Sequence, residues 1–175
     1  MVNRTLLRRF PLILSVTLLV LLHASCLQAS EFQSEVGQEL ERVAVDEYGL
    51  DSNGRMVAYY GTPVIDGEVD EVWSKAVVVT PKHITSGVKT TAQFRALWDD
   101  RALYFLAEVR DDQLSDGSVN TYEQDSFEVF IDEGNDKTKE YGIDDVHYRV
   151  NFKNLRTADN GDLERFYSKA KVVEG

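Results

Sequence analysis

The sequence predicts an all-β protein, an antiparallel and jelly-roll-like β-sandwich, and three observations lead there. Several short stretches alternate apolar and polar residues with period two, turn-forming residues separate them, and no long helical periodicity falls between them. A strand sends successive side chains to opposite faces, so this alternation marks sheets buried on one side.

The clearest pair comes mid-chain. In Thr91 to Trp98, Ala92, Phe94, Ala96 and Trp98 share one face, while Gln93 and Arg95 take the other. Asp99-Asp100-Arg101 makes a polar turn. Ala102 to Arg110 then sets Leu103, Phe105, Ala107 and Val109 against Tyr104, Leu106, Glu108 and Arg110. Two alternating runs joined by a short turn predict a hairpin. Ser126 to Asp132 points Phe127, Val129 and Ile131 inward, with Glu128 and Phe130 outward. Val146 to Phe152 sets Val146, Tyr148, Val150 and Phe152 against His147, Arg149 and Asn151. Phe166 to Val173 is a fifth strand. Trp73 follows the apolar set Ile65, Val69 and Val72, and Trp98 shares a face with Phe94, so both are expected in the core. A sandwich needs more strands than these, and the domain is expected to be incomplete at its C-terminus, with a sheet edge left open.

Three segments are expected. Residues 1–29 have the pattern of a secretory signal: basic Arg4, Arg8 and Arg9, an apolar run from Leu12 to Leu22 broken only by Ser15 and Thr17, and small residues up to Ala29. The run is short for a bilayer span, so no stable membrane insertion is expected after its removal, and the product is secreted or periplasmic. The alternative is a lipid anchor on Cys26, and His23 stands where such signals want Leu or Val. Cys26 is the single cysteine, so no internal disulfide can form. Residues 30–54 form an acidic leader, possessing helical spacing at Val36, Leu40 and Val43 and a turn signal at Asp51-Ser52-Asn53-Gly54. Residues 55–175 form the module. The net charge is -11 and grows more negative when Arg4, Arg8 and Arg9 leave. Such a surface repels phosphate, which argues against nucleic acid and anionic membranes, while neutral sugars and divalent cations suit it.

Several ordered blocks carry a family resemblance. They are Gly61-Thr62-Pro63-Val64-Ile65-Asp66-Gly67-Glu68-Val69-Asp70-Glu71-Val72-Trp73, Leu97-Trp98-Asp99-Asp100, and Tyr122-Glu123-Gln124-Asp125-Ser126-Phe127-Glu128-Val129-Phe130-Ile131-Asp132-Glu133. Lys137-Thr138 and Asp144-Asp145-Val146-His147-Tyr148-Arg149-Val150-Asn151 follow in order. Together they resemble family 9 carbohydrate-binding modules, which accompany secreted xylanases. The resemblance implies non-catalytic binding of a polysaccharide or oligosaccharide, the chain ends of cellulose or xylan. It implies Tyr122 as a stacking aromatic, a position where related modules often carry Trp, with the second stacking residue lying beyond Gly175. It also implies Glu128 and Arg149 as hydrogen-bonding partners of sugar hydroxyls, with Gln124 as a further contact. The chemistry suits a sugar, whose apolar ring face packs on an aromatic and whose hydroxyl edge meets charged groups. On residue spacing alone, Glu128 and Arg149 could equally be a cross-strand salt bridge.

Calcium is the second implied ligand. Asp132, Glu133, Asn135, Asp136, Asp144 and Asp145 crowd one segment, and hard oxygen donors suit that ion, although the spacing is not that of an EF-hand. A solvated acidic loop is the alternative. The resemblance implies a structural calcium in this loop and at the Asp66 to Asp70 turn. Three other functions stay open. A longer parent protein could be an endo-xylanase, of which this chain would be an ancillary piece. A haem-binding sandwich would need ligands such as Met56, His83 or His147. An adhesion domain would use the same sandwich without sugar.

Overall fold

The computed structural model describes residues 12–21, 42–85 and 89–174. The basic head and small-residue exit of the expected signal, with Cys26, lie outside them. Of the expected leader helix only Val43 is described, and it is not helical.

Two sheets form the domain, and no α-helix occurs among the described residues. The larger has the order β2-β3-β4-β1-β8, from Tyr59–Tyr60, Thr91–Trp98, Ala102–Asp111, Leu12–Leu21 and Phe166–Glu174. The smaller is β5-β6-β7, from Ser126–Asp132, Asp145–Asn151 and Arg156–Asp159. Every pairing between these strands is antiparallel except the short β2–β3 contact. The expected hairpin is present, with Thr91 opposite Arg110 and Trp98 opposite Leu103.

The apolar faces meet between the sheets. Ala107 of the larger sheet shares a core with Val129, Val146, Tyr148, Val150 and Phe166, and Phe94 stacks on Phe127 at 5.6 Å. Strand β4 is apolar on both faces because its other side is covered too. There Tyr104 and Leu106 pack with Leu97 and with Trp73, which sits on the 3-10 turn Glu71–Lys75 and is 1% exposed. Trp73 is therefore core, as expected.

Trp98 is not. It is 44% exposed, and its ring meets Tyr60 edge-on at 5.2 Å. It is the last residue of β3 and pairs with β2 at the sheet edge, so the face that buries Phe94 further along no longer meets the opposing sheet there. Its neighbour Leu97 points the other way and is fully buried.

The turn after Trp98 is held by Asp99. Its carboxylate accepts from Thr62 Oγ1, Tyr104 OH and the backbone N–H of Arg101, each at 2.8 Å, from Ala102 N–H at 3.0 Å and from Arg101 Nη2 at 3.3 Å. Burial alone would raise its pKa, and these donors outweigh that and hold the carboxyl well below the usual range. Burial, then the Asp99 hydrogen bond and charge, push the Tyr104 phenol up to about 12.

Residues 42–54 run along the module. Val43 N–H donates to Tyr59 OH at 2.8 Å, and Thr80 N–H donates to the Tyr48 carbonyl at 3.0 Å. Asp51 makes the expected turn by accepting from the N–H groups of Asn53 and Arg55, with Gly54 at φ 72°. Gly49 has φ 82°, and a Cβ there would overlap the Val78 carbonyl.

The run Leu12–Leu21 forms strand β1 at the interior of the larger sheet. Val16 lies opposite Ala107 of β4 on one side and Ala170 of β8 on the other. This Leu-, Val- and Ile-rich run, broken only by Ser15 and Thr17, suits a strand as well as it suits a signal core.

Candidate functional site

The smaller sheet turns one face to the core and the other outward. Register fixes what the outer face presents. Glu128, Arg149 and Thr157 are opposed across β5, β6 and β7, and Phe130, His147 and Asp159 form the next row. The period of two puts both rows on one face, so the alternation that buries Val129 and Tyr148 brings these side chains together.

A hydrogen-bonded network links them. Glu128 Oε2 lies 2.7 Å from His147 Nε2, and His147 Nδ1 lies 2.8 Å from Arg149 Nη2. Arg149 Nη2 also donates to Asp159. The Nε of Arg149 is 3.6 Å from Glu128 Oε1, within ion-pair distance but beyond hydrogen-bond reach, and it is buried with no hydrogen-bond partner among the described residues. Among the described residues Glu128 Oε1 receives a long bond from Ser126 Oγ, at 3.2 Å. The Arg149 side chain is 9% exposed and that of Asp159 is 65% exposed, so the guanidinium lies beneath a carboxylate that solvent reaches.

Aromatic rings flank the network. Phe130 stacks on the His147 imidazole with centroids 3.6 Å apart, and Tyr141 lies 6.3 Å from Phe130. Tyr141, His147, Asp145, Asp159 and Asn160 line a hollow of about 350 Å³. Tyr122 is 63% exposed on the 3-10 turn Thr121–Glu123. Thr157 Oγ1, 3.4 Å from Thr121 Oγ1, ties that turn to β7 beside the Arg149 row. Gln124 is engaged in holding the chain: its Nε2 donates to the Ser118 carbonyl at 2.8 Å, and its Oε1 accepts from the buried Asn151 at 2.9 Å.

Of the sequence-derived site residues, Glu128 and Arg149 are brought side by side, Tyr122 stands on the adjoining turn, and Gln124 spends both amide groups inside the fold. The sequence does not single out Asp159 or Tyr141, and it offers His147 a role only as a haem ligand. Asp159 ends a four-residue strand, Arg-Thr-Ala-Asp, which carries no legible alternation.

The residues expected to hold calcium do not gather into one cage: among the described residues no three His, Cys, Asp or Glu side chains converge as metal ligands. Asp132 accepts the N–H groups of Asp136 and Lys137, which hold its carboxyl below the usual range, and Asp145 accepts from Gly142 N–H. Asp66 accepts from Glu68 N–H. Asp70 Oδ2 accepts from Val64 N–H at 2.9 Å, while its Oδ1 is buried with no hydrogen-bond partner among the described residues. That oxygen is the one carboxylate oxygen of the expected set that is buried and unsatisfied among the described residues.

Known proteins match this arrangement. A family model described as "Carbohydrate family 9 binding domain-like" covers residues 65–175. The chain is 45% identical over 135 residues to endo-1,4-beta-xylanase A of Thermotoga maritima, spanning 73% of this chain and 13% of that protein. It is 51% identical over 98 residues to exoglucanase XynX of Acetivibrio thermocellus, spanning 55% of this chain and 9% of that one. Among solved structures it resembles a family 9 module from Caldicellulosiruptor kristjanssonii in complex with cellotriose, with TM-score 0.63 and 46% identity over 65% of this chain and 58% of the other. A glucose complex from the same organism matches with TM-score 0.62 and 47% identity, covering 64% of this chain and 59% of that one. The fold and these matches agree, and the chain belongs to family 9 of the carbohydrate-binding modules.

Proposed function

We propose that the outer face of β5–β6–β7 binds the end of a β-linked glucan or xylan chain, within a jelly-roll-like sandwich. The observation that carries this is the hydrogen-bonded network Glu128–His147–Arg149–Asp159, with exposed Tyr122 and Tyr141 nearby. Carboxylates accept from adjacent hydroxyls, and tyrosine rings pack against the C–H face of a pyranose. The cellotriose and glucose complexes of the related modules support the choice of sugar.

Titration calorimetry of the full chain with cellotriose and xylotriose tests it. Tyr122→Ala and Asp159→Ala each change an exposed side chain, and each is expected to weaken binding about tenfold, the equivalent of ~1.4 kcal/mol. Absence of any binding heat from the unaltered chain at millimolar sugar refutes the reading.

We propose two accompanying features. A structural calcium would sit at the Asp66 to Asp70 turn, where Asp70 Oδ1 is buried and unsatisfied, or in the acidic loop from Asp132 to Asp145, and a chelator-dependent fall in Tm tests it. The chain is exported, secreted or periplasmic, with residues 1–29 as its signal. N-terminal sequencing of the exported product, expected to start at Ser30, checks this. Any xylanase activity belongs to a longer parent protein, in which this module holds the polysaccharide.

A further inference from the structure

We propose that His147 is a positioning residue that keeps Glu128 and Arg149 from closing on each other, and so leaves them available to a sugar hydroxyl. The inference rests on the proposed binding face. Glu128 and Arg149 are directly opposed on neighbouring antiparallel strands, the arrangement in which oppositely charged side chains normally pair. An arginine and a carboxylate so placed favour a two-pronged bond. Here the Nε to Oε1 separation is 3.6 Å, and the buried Arg149 Nε–H has no hydrogen-bond partner among the described residues.

His147 accounts for this. Arg149 Nη2 carries only hydrogens and no lone pair, so the 2.8 Å contact makes His147 Nδ1 the acceptor. The ring hydrogen therefore sits on Nε2 and is donated to Glu128 Oε2 at 2.7 Å. The imidazole thus draws Glu128 by one oxygen and Arg149 by the nitrogen that also serves Asp159. Phe130, stacked 3.6 Å away, fixes the plane of the ring. Glu128 Oε1, which accepts the long bond from Ser126 Oγ, and Arg149 Nε–H lie 3.6 Å apart, too far for a direct hydrogen bond. One hydroxyl can both donate to the first and accept from the second after a small outward movement of the guanidinium.

Without the imidazole, Glu128 and Arg149 close into a direct pair and neither is free for ligand. Three measurements test this on the full chain: cellotriose affinity of His147→Ala and His147→Gln, the Tm of each, and the imidazole 15N resonances of the unaltered chain. His147→Ala is expected to lose about tenfold or more in affinity while staying folded. His147→Gln offers an amide that donates and accepts, and is expected to recover most of the loss. The ring resonances should report hydrogen on Nε2 alone. Unchanged affinity in His147→Ala overturns the proposal, as does equal loss in both variants. A ring with hydrogen on Nδ1 overturns it whether or not sugar binds. If the unaltered chain binds no sugar while the resonances show the Nε2–H form, the binding reading fails and the clamp geometry stands.

Discussion

Replacing Asp99 with alanine should be among the most damaging changes in the module. The residue is 8% exposed and receives five hydrogen bonds, from Thr62, Tyr104, the Arg101 side chain and two backbone N–H groups. Four of these five donors are within 3.0 Å, and the Tyr104 hydroxyl is buried, so truncation leaves a buried donor without an acceptor. Hydrogen bonds to a charged group contribute about 1.5–3 kcal/mol each, but such contributions overlap and the cavity admits water, so a total of about 3–5 kcal/mol is expected. For a domain of this size that corresponds to a Tm lower by roughly 6–20 °C. Asp99→Asn keeps one acceptor oxygen, and its loss should be about half as large. Urea titration followed by far-UV circular dichroism at neutral pH reads both. The pH dependence supplies a second check. A carboxyl with its folded-state pKa depressed stabilises the fold above the ordinary carboxylate range, and that contribution fades as pH falls toward the folded-state value. Part of the acid sensitivity of the unaltered chain should therefore be missing from Asp99→Ala. A loss below about 1 kcal/mol in the alanine variant would refute the view that this carboxylate organises the β3–β4 turn.

Further outcomes follow from other residues. Tyr104 has its pKa pushed up to about 12, above the ordinary ~10, so its contribution is complete below pH 10 and is lost as pH rises toward 12. Urea midpoints across that range should fall less steeply in Tyr104→Phe. Gly49→Ala places a methyl against the Val78 carbonyl at a positive φ, and should destabilise by about 1–3 kcal/mol. Chemical denaturation checks it, with protease cutting between residues 42 and 54 as a local readout. The two tryptophans should separate by fluorescence, because Trp73 is 1% exposed and Trp98 is 44% exposed. Iodide should quench only one of them, and Trp98→Phe should remove the quenchable component.

The strands were legible in the sequence where residue types alternate, in β3, β4, β5 and β6, although β6 is buried on its polar face as well, at His147, Arg149 and Asn151. Strand β7 was not, because Arg156, Thr157, Ala158 and Asp159 show no contrast between faces, and their strand character comes from pairing with β6. Asp159 went unseen with it. Glu128 and Arg149 could be placed on one surface from their strand positions, whereas their separation by the His147 ring depends on side-chain orientation that no spacing encodes. Trp98 misled for a related reason: period two says which face a residue takes, and says nothing about whether that face is still covered at the end of the strand. Gln124 has the right chemistry for a sugar contact, but a buried Asn151 on the adjacent strand claims its carbonyl.

Strand β1 bears on timing. Its ten residues supply hydrogen-bond partners to β4 and to β8, which have no direct ladder with each other in the larger sheet. If the same ten residues also serve as the greasy core of an export signal, a translocase and the sheet compete for them. A precursor that folded before export would hide its own address label inside the domain, so passage through the membrane has to come before sheet closure. After processing, β4 and β8 would stand on either side of a missing strand. The processed molecule must then either seat another extended segment between them or bring the two edges together.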